Sequence, residues 1–515
     1  MTAPSAPTGS TSTTPRTDRT SFLRNVVDKT RDLVDSAPGL DYLMLRIVVF
    51  LLIGIGVIMV FSSSMATSYA ENAGVWSIAF RQLVMVGAGL FLYWLALRVR
   101  PATLRKLVPW LLVLTFILLI LVLIPGIGTG RQEVGSQSWI ALGPVSLQPS
   151  ELARVTIGLF GATVLANKTH RNYGFNDPFT IYGIIAGIMF ALIFLQGDVG
   201  MAMSFMVVVL FTLFFAGVRP GIIGVIIAGG LVGAVGLLFG GGFRSQRFHT
   251  YFDALTGNIS DTRGAGFQAY QGFLSLADGG FSGVGIGQSR AKWFYLPEAK
   301  NDFVYAIVGE ELGWVGGAIV IVLFAALCYF GIRTALNSQN QFQALVAATL
   351  TAGVVAQALF NIGYVVGLLP VTGIQLPMIS AGGTSAIITI ASMGILANIA
   401  RHEPMQISAM QNFGRPLFDR FFHIPEPIPA GEPAQGGRHA ARRAHTTSVP
   451  QSEQSARTQR TRRMDPPRAQ RERRFGTPLT QQQRQRPRAQ SSRDNLGESS
   501  YRGRHPERNR RGTQR

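Results

Sequence analysis

The stretch LPEAKNDFVYAIVGEELG, from Leu296 to Gly313, sets Glu298, Lys300, Asp302, Glu310 and Glu311 at the mouth of a strongly apolar run. A carboxylate beside a cation can serve as a general base with a charge-stabilising neighbour. Asp302 and Lys300 are residues of those two types, two positions apart. The plainer reading of the same letters is a helix cap, in which Asp302 accepts hydrogen bonds from the free N–H groups of the first turn. Glu310 and Glu311 fall two turns further on, at membrane depth. Bare charge is costly in lipid, so these carboxylates must face a bundle interior or a wet cavity. On these letters both readings of Asp302 stay open, and Glu310 and Glu311 are structural or supporting candidates.

Three other polar stretches could carry chemistry. GSQSWIALGPVSLQPSELAR (135–154) offers Trp139, Gln148 and Glu151, with Pro149 suited to the first turn of a helix. Ser150 or Glu151 would explain the same letters as a cap or a partner of the helix dipole. LQGDVGMA (195–202) puts Asp198 at the apex of a tight turn, which a turn-stabilising aspartate also explains. GIQLPMISAGGTSAI (373–387) runs Gly382, Gly383, Thr384 and Ser385 into an apolar segment. Backbone N–H groups at such a helix start can hold phosphate, or Thr384 or Ser385 can cap the helix. Upstream of Asp302, Arg290 and Lys292 add positive charge. The chain has no P-loop, dinucleotide fingerprint, HExxH or CxxC pattern. Its single cysteine, Cys328, excludes an internal disulfide.

The elements that must position these residues are apolar and long. A spanning helix needs about 20 mostly apolar residues. Ten candidates centre on 43–62, 79–97, 107–125, 150–166, 181–195, 200–217, 220–240, 304–332, 342–369 and 384–400. Arg98, Arg100, Arg105, Lys106, Lys168, Arg171, Arg219 and Arg333 lie in alternate short connections, whereas 63–77, 196–199 and 370–383 carry no Lys or Arg. Positive charge collects on the cytoplasmic side, so the pattern predicts an all-α polytopic membrane protein with ten transmembrane helices and both termini cytoplasmic. The connection 241–303 between the seventh and eighth spans breaks the rule: it holds Arg244, Arg247, Arg263, Arg290, Lys292 and Lys300, opposed by Asp253, Asp261, Asp278, Glu298 and Asp302. Loops of about 60 residues translocate regardless of charge, and an anionic ligand outside would account for the cations. Within this loop, Phe267, Phe273, Leu274 and Leu276 are expected to line one face of a short interfacial helix before an ADGG turn.

Only 14% of residues are charged, yet the net charge is +20. The split is between an apolar middle (42–402) and two basic tails. Residues 1–41 are rich in Ser, Thr, Pro and Arg. Residues 403–515 are dominated by Arg, Gln and Pro, without lysine. Neither tail can build a core, so both are expected to be disordered. Beside a membrane the Arg-rich tail is expected to meet anionic lipid or an acidic protein rather than nucleic acid.

Taken together, QPSELA before the fourth span, a Q-x-D-x-G turn after the fifth, LPEAKNDFVYAIVGEELG before the eighth and GIQLPMISAGGTS before the tenth resemble the SEDS family (shape, elongation, division and sporulation) of membrane peptidoglycan glycosyltransferases. The resemblance covers about 43–402. ADGG, AKWFYLP and ISAGGTS are similar to the division branch; the elongation branch more often has Tyr-Gly-Gly-Ser in the last motif. Two departures stand out. Ser138 precedes Trp139 where relatives often carry Arg, for which Arg131 could compensate, and Gly197 replaces the usual Pro of the Q-P-D turn.

The resemblance places the family's essential carboxylate on Asp302, which is then expected to act as general base, with Arg290, Lys292 and Lys300, helped by the Gly382–Ser385 turn, steadying the departing pyrophosphate. It implies lipid II as substrate, undecaprenyl pyrophosphate as leaving group, a class B penicillin-binding protein as partner, and a place in the bacterial cell membrane at the division septum. Glu298, Lys300, Lys292, Arg290, Trp139, Gln148, Glu151 and Gly382–Ser385 are then expected to bind substrate. Grooves between the spans would admit the polyprenyl tail, membrane lipids are expected partners, and the cytoplasmic tails would meet other division proteins. A divalent cation (Mg2+ or Mn2+) on the pyrophosphate suits this chemistry, although no ligand cluster requires one. Rival readings are a lipid II flippase, the elongation-type polymerase of the same family, and a scaffold acting through its tails.

Overall fold

The computed structural model describes residues 39–70, 74, 76–131, 135–143, 145–167, 176–239, 251–252, 266–293, 296 and 298–427. Most of both expected tails, and Lys168, Arg171, Arg244, Arg247, Asp253, Asp261 and Arg263, lie outside the described residues. Among the described residues the chain is mostly helical. Its long helices are α1 (Leu40–Ala70), α2 (Ser77–Arg98), α3 (Pro101–Leu121), α4 (Pro149–Leu165), α5 (Pro178–Leu195), α6 (Val199–Phe215), α7 (Pro220–Phe239), α9 (Val304–Asn337), α10 (Gln341–Val365) and α11 (Thr384–Arg401). They fall on the ten apolar segments. Seven are long and apolar enough to cross a membrane, and α6 and the first part of α7 are shorter apolar helices. The chain is a multi-pass membrane protein.

The helices shed their apolar side chains outward as well as inward. Phe80, Phe91, Leu95, Trp110 and Ile117 are exposed on α2 and α3, as lipid-facing helices require. The most enclosed helix is α10, built from Ala, Gly, Thr and Val that let neighbours approach closely. Around it pack α4, α6, α9 and α11.

Between α3 and α4 lies a small antiparallel sheet that the sequence pattern did not reveal. Its strands are β1 (Gly128–Thr129), β2 (Trp139–Leu142) and β3 (Val145–Leu147) in the order β1-β2-β3. Gly128 pairs with Ile140, and Ile140 with Leu147.

The helix α8 (Phe267–Gly279) occupies the expected interfacial segment, but its buried face is a different one. Gly272, Ser275 and Gly279 turn inward and Leu274 is exposed. A Cβ on Gly279 would run into the Gly309 carbonyl, so bare backbone is what allows α8 to lie on α9.

The long helix α9 is broken at Gly313, whose φ of 68° and ψ of −167° suit glycine alone. The loop after α8 takes over the interrupted ladder. Val284 N–H donates to the Glu310 carbonyl at 2.9 Å and Gly285 N–H to that of Glu311 at 3.0 Å. Trp314 N–H donates to the Gly280 carbonyl at 2.9 Å. Irregular backbone at membrane depth is tolerable when protein satisfies it in this way.

Part of the expected tail is folded. Two further helices, α12 (Pro404–Phe413) and α13 (Leu417–Phe421), continue the fold to residue 427. They dock at the end of the bundle where Arg98, Arg333 and Arg401 lie: Asp419 is fully buried and accepts from Tyr42 Oη (2.7 Å) and Arg401 Nε (2.7 Å).

Candidate active site

Three polar groups form at the loop-rich end of the bundle. The first is built on the turn 298–303. Glu298 adopts φ 55°, a strained value for a residue with a side chain, and its carbonyl accepts from the N–H groups of Asn301 and Phe303. Phe303 is fully buried, with its ring 5.6 Å from that of Tyr364 and its edge against Gly272. This plug fixes the turn. Three successive carbonyls are then held from outside it. Lys300 O accepts from Ala381 N at 2.9 Å, Asn301 O from Ser380 Oγ at 2.6 Å, and Asp302 O from Asn361 Nδ2 at 2.8 Å and Tyr364 Oη at 2.9 Å. Asn361 Nδ2 and Tyr364 Oη each also reach the Ile374 carbonyl at 2.7 Å. The half-buried Asp302 and Lys300 therefore ride on a backbone clamped between α10 and the 374–381 loop. The helix begins at Val304 with Phe303, not Asp302, in the cap position.

The same contacts bring the Gly382–Ser385 turn close to the turn of Asp302. Gly382 N–H donates to Ser380 O (2.8 Å), Gly383 N–H to Gln82 Oε1 (3.3 Å) and Ser385 N–H to Gly382 O (3.0 Å). Three donors expected to help hold pyrophosphate are already engaged. Gly383 itself, at φ 52°, is the cap residue of α11, and Thr384 Oγ1 donates to Ser146 O in β3 (2.9 Å). The turn is a brace that ties α11 to the sheet.

The second group gathers Gln148, Glu151 and Asp198. Asp198 caps α6 by accepting from Met201 N–H (3.0 Å) and also accepts from Gln148 Nε2 (3.1 Å). Burial pushes its carboxyl above the usual carboxylate range. Glu151 is buried and paired with Arg154 at 2.8 Å, and Arg154 also bonds Ser204 (3.3 Å) and Gln357. Gln357 and Asn361 stand one turn apart on α10, so this group and the Asp302 clamp share a helix face. Trp139 lies half-buried in β2, over Gly130.

The third group holds Lys292, expected to bind substrate, in a buried position. Its ammonium donates to Gly287 O (2.6 Å), Ser62 Oγ (3.2 Å) and Glu311 Oε1 (3.2 Å). An ammonium has three donors, and all three are used. Glu311 further accepts from Ser62 Oγ at 2.5 and 2.7 Å, while Glu310 accepts from Ser289 Oγ (2.7 Å) and Arg290 N–H (2.6 Å). The pair of glutamates thus staples the loop 284–292 to α1 and α9. The Arg290 side chain is exposed and, with Asp278, Val284, Gln288 and Glu310, lines a cavity of about 450 Å3. Of the three expected cations, Lys300 shares the turn of Asp302. Glu298 is exposed, bonded to Asn301 Nδ2 at 2.6 Å.

Arg154, Gln357, Asn361 and Tyr364 escaped sequence reasoning. An arginine inside the apolar run SELARVTIG, and two amides inside α10, were the available signals. Among the described residues no three His, Cys, Asp or Glu side chains gather to hold a metal ion.

This architecture, a bundle of apolar helices with a polar pocket rim at one end, is that of a polytopic membrane enzyme or transporter. Residues 42–405 match the cell cycle protein family that comprises FtsW, RodA and SpoVE. The chain is 36% identical over 429 residues to the probable peptidoglycan glycosyltransferase FtsW of Mycobacterium tuberculosis, covering 83% of this chain and 80% of that one. It is 37% identical to the stage V sporulation protein E of Bacillus subtilis over 363 residues, covering 70% and 97%. Among solved structures, a chain of a peptidoglycan synthase complex superposes with a TM-score of 0.56 at 25% identity, covering 70% of this chain and 97% of that one. The rod shape determining protein RodA of Thermus thermophilus gives 0.51 at 24%, covering 70% and 96%. The chain belongs to the SEDS family.

Proposed function

We propose that the protein is a peptidoglycan glycosyltransferase that polymerises lipid II, with Asp302 as general base. The relatives named as peptidoglycan glycosyltransferases support the activity. The observation that carries the role of Asp302 is its clamped turn: three consecutive carbonyls are fixed by a separate helix and loop, which holds one half-buried carboxylate and one ammonium in place at the rim. Preorganisation of this kind is what proton transfer in a transition state requires.

In this reading the 4-hydroxyl oxygen of one sugar attacks the anomeric carbon of the next. The bond from that carbon to the pyrophosphate oxygen breaks, and its electron pair leaves with undecaprenyl pyrophosphate. Asp302 takes the hydroxyl proton, and Lys300 steadies the departing charge. Displacement in one step inverts the anomeric centre. The ten long helices span the membrane, with both ends of the chain cytoplasmic and the Asp302 rim outside; the basic turns at Arg98–Arg100 and Arg333 support this orientation. The chain of the solved synthase complex supports a class B penicillin-binding protein as partner, and the FtsW relatives support a role at the septum rather than in elongation. The ion pairs Glu151–Arg154 and Glu311–Lys292 are closed and buried, an arrangement that favours a polymerase over a flippase with a polar path.

The test is purified protein, with and without the partner transpeptidase, given lipid II. Asp302→Asn is expected to lower polymer formation by about 10²–10⁴-fold, the typical worth of a general base. Full activity of the variant, or loss of lipid II flipping in its place, overturns the reading.

A further inference from the structure

The helix α13 presents an inner and an outer face. Phe418 turns toward the bundle, 6.1 Å from Phe50 of α1 and with the Arg46 guanidinium 4.5 Å over it; Phe422, 41% exposed, lies at the edge between the faces, its ring 4.6 Å from that of Phe418 and 5.0 Å from that of Phe421. Asp419 on the inner side is fully buried. Leu417 and Phe421, four apart, point the other way and are 81% and 76% exposed; Phe413, at the end of α12, is 86% exposed. No described element covers these three.

What covers them follows from their surroundings. The inner face fixes the height of the module, because Trp94 Nε1 donates to Phe422 O (3.0 Å) and Arg98 to His423 O (3.1 Å). Both donors belong to the last turn of α2, whose flank carries the exposed apolar Phe91 and Leu95. The outward face of α13 therefore continues a lipid-facing surface at its very end, where hydrocarbon gives way to headgroups. The charge around it is positive. Arg98, Arg100, Arg415 and Arg420 are exposed, while Asp419 is consumed internally by Arg401 and Tyr42. The one exposed acid of this segment, Glu426, is paired with Arg415 at 3.4 Å. Aromatic and leucine side chains under a ring of arginines suit an interface of acidic phospholipid.

We infer that residues 413–421 form an interfacial anchor that inserts Phe413, Leu417 and Phe421 into an anionic leaflet, with Arg415 and Arg420 on its headgroups. The inference rests on the proposed orientation only in naming that leaflet as the cytoplasmic one. The anchor hangs on the same buried Asp419 that joins α1 and α11.

The test uses full-length protein in nanodiscs, with Cys328→Ser as background and Phe421→Cys carrying an environment-sensitive thiol label. In discs containing phosphatidylglycerol the label is expected to shift to the blue, to be quenched by headgroup-proximal spin-labelled lipid and to resist aqueous iodide. Adding Arg415→Gln and Arg420→Gln is expected to lower the inserted-to-free ratio about 30-fold, which corresponds to about 1 kcal/mol for each arginine. Iodide quenching in every lipid overturns the proposal. So does the same insertion in phosphatidylcholine alone, or a disulfide between two copies through position 421, which would mean that a second chain covers the face. Nanodiscs expose both sides and no polymer is measured, so neither the orientation nor the glycosyltransferase reading bears on the outcome. A label at position 417 repeats the measurement should the 421 variant fail to fold.

Discussion

Glu311→Gln separates the two roles open to Lys292. In the native protein the two charges lie 3.2 Å apart and both are buried. At the effective dielectric constant of about 20 that suits such pairs, the direct attraction is about 5 kcal/mol. Removing one partner leaves the other charge uncompensated, and such changes destabilise by about 3–5 kcal/mol. Glutamine keeps an acceptor for Ser62 and for Ser289 N–H, so the loss falls on the ammonium. Glu311→Gln is therefore expected to lower the thermal midpoint in detergent and to lower polymer yield with it. Adding Lys292→Met removes the orphaned charge and is expected to restore the midpoint to within about 1–2 kcal/mol of wild type, the remainder being the hydrogen bonds of Gly287 and Ser62. Activity should return with stability, because the lysine only closes the loop. The reasoning fails if Glu311→Gln is silent in both measurements. It fails equally if the double variant is stable but inactive, since Lys292 would then act on substrate.

Three other outcomes follow from the clamp, the break in α9 and the basic end. Asn361→Leu leaves Tyr364 Oη to hold the Asp302 and Ile374 carbonyls, and a small displacement of the base is expected to lower kcat about 10²-fold with little change in KM for lipid II; an unaltered kcat would mean that the amide does not hold the base in place. Gly313→Ala forces a Cβ into backbone at Phe281 and Gly283 at a φ of 68°, so a loss of about 1–3 kcal/mol from backbone strain alone is expected in thermal unfolding, with the clash in addition; a wild-type midpoint refutes this. Glu403 is pushed up to about 8 by burial first and then by the Asp41 carboxylate. The folded state thus keeps a proton that the unfolded chain has released, and stability should fall as pH rises from the usual carboxylate range through about 8. Glu403→Gln is expected to flatten that slope, which thermal midpoints across the interval will read.

The long apolar helices were legible because their signal is composition over about 20 residues, and the structure puts helices on every expected segment. The four polar stretches were legible as letters, but their partners were not. Lys292 lies 19 residues before Glu311 and 230 after Ser62, so no spacing rule announces a closed lock. The strands β1 to β3 are too short, at two to four residues, for alternation to register. The RPLFDRFF segment carries its outer face at a spacing of four, but the arginine-rich tail beyond it masks a pattern barely two turns long. The break at Gly313 leaves no trace in hydropathy, since glycine is common in such helices.

The helix α1 is gripped near both of its ends: by Asp419 at Tyr42, and by Glu311 at Ser62. Twenty residues of helix separate these grips, a lever of about 30 Å. Swinging such a lever by one degree moves its far tip about half an ångström, as much as a contact of 2.5 Å can absorb before it parts. A tilt of α1 is therefore felt at both grips at once, which couples the two ends of the bundle.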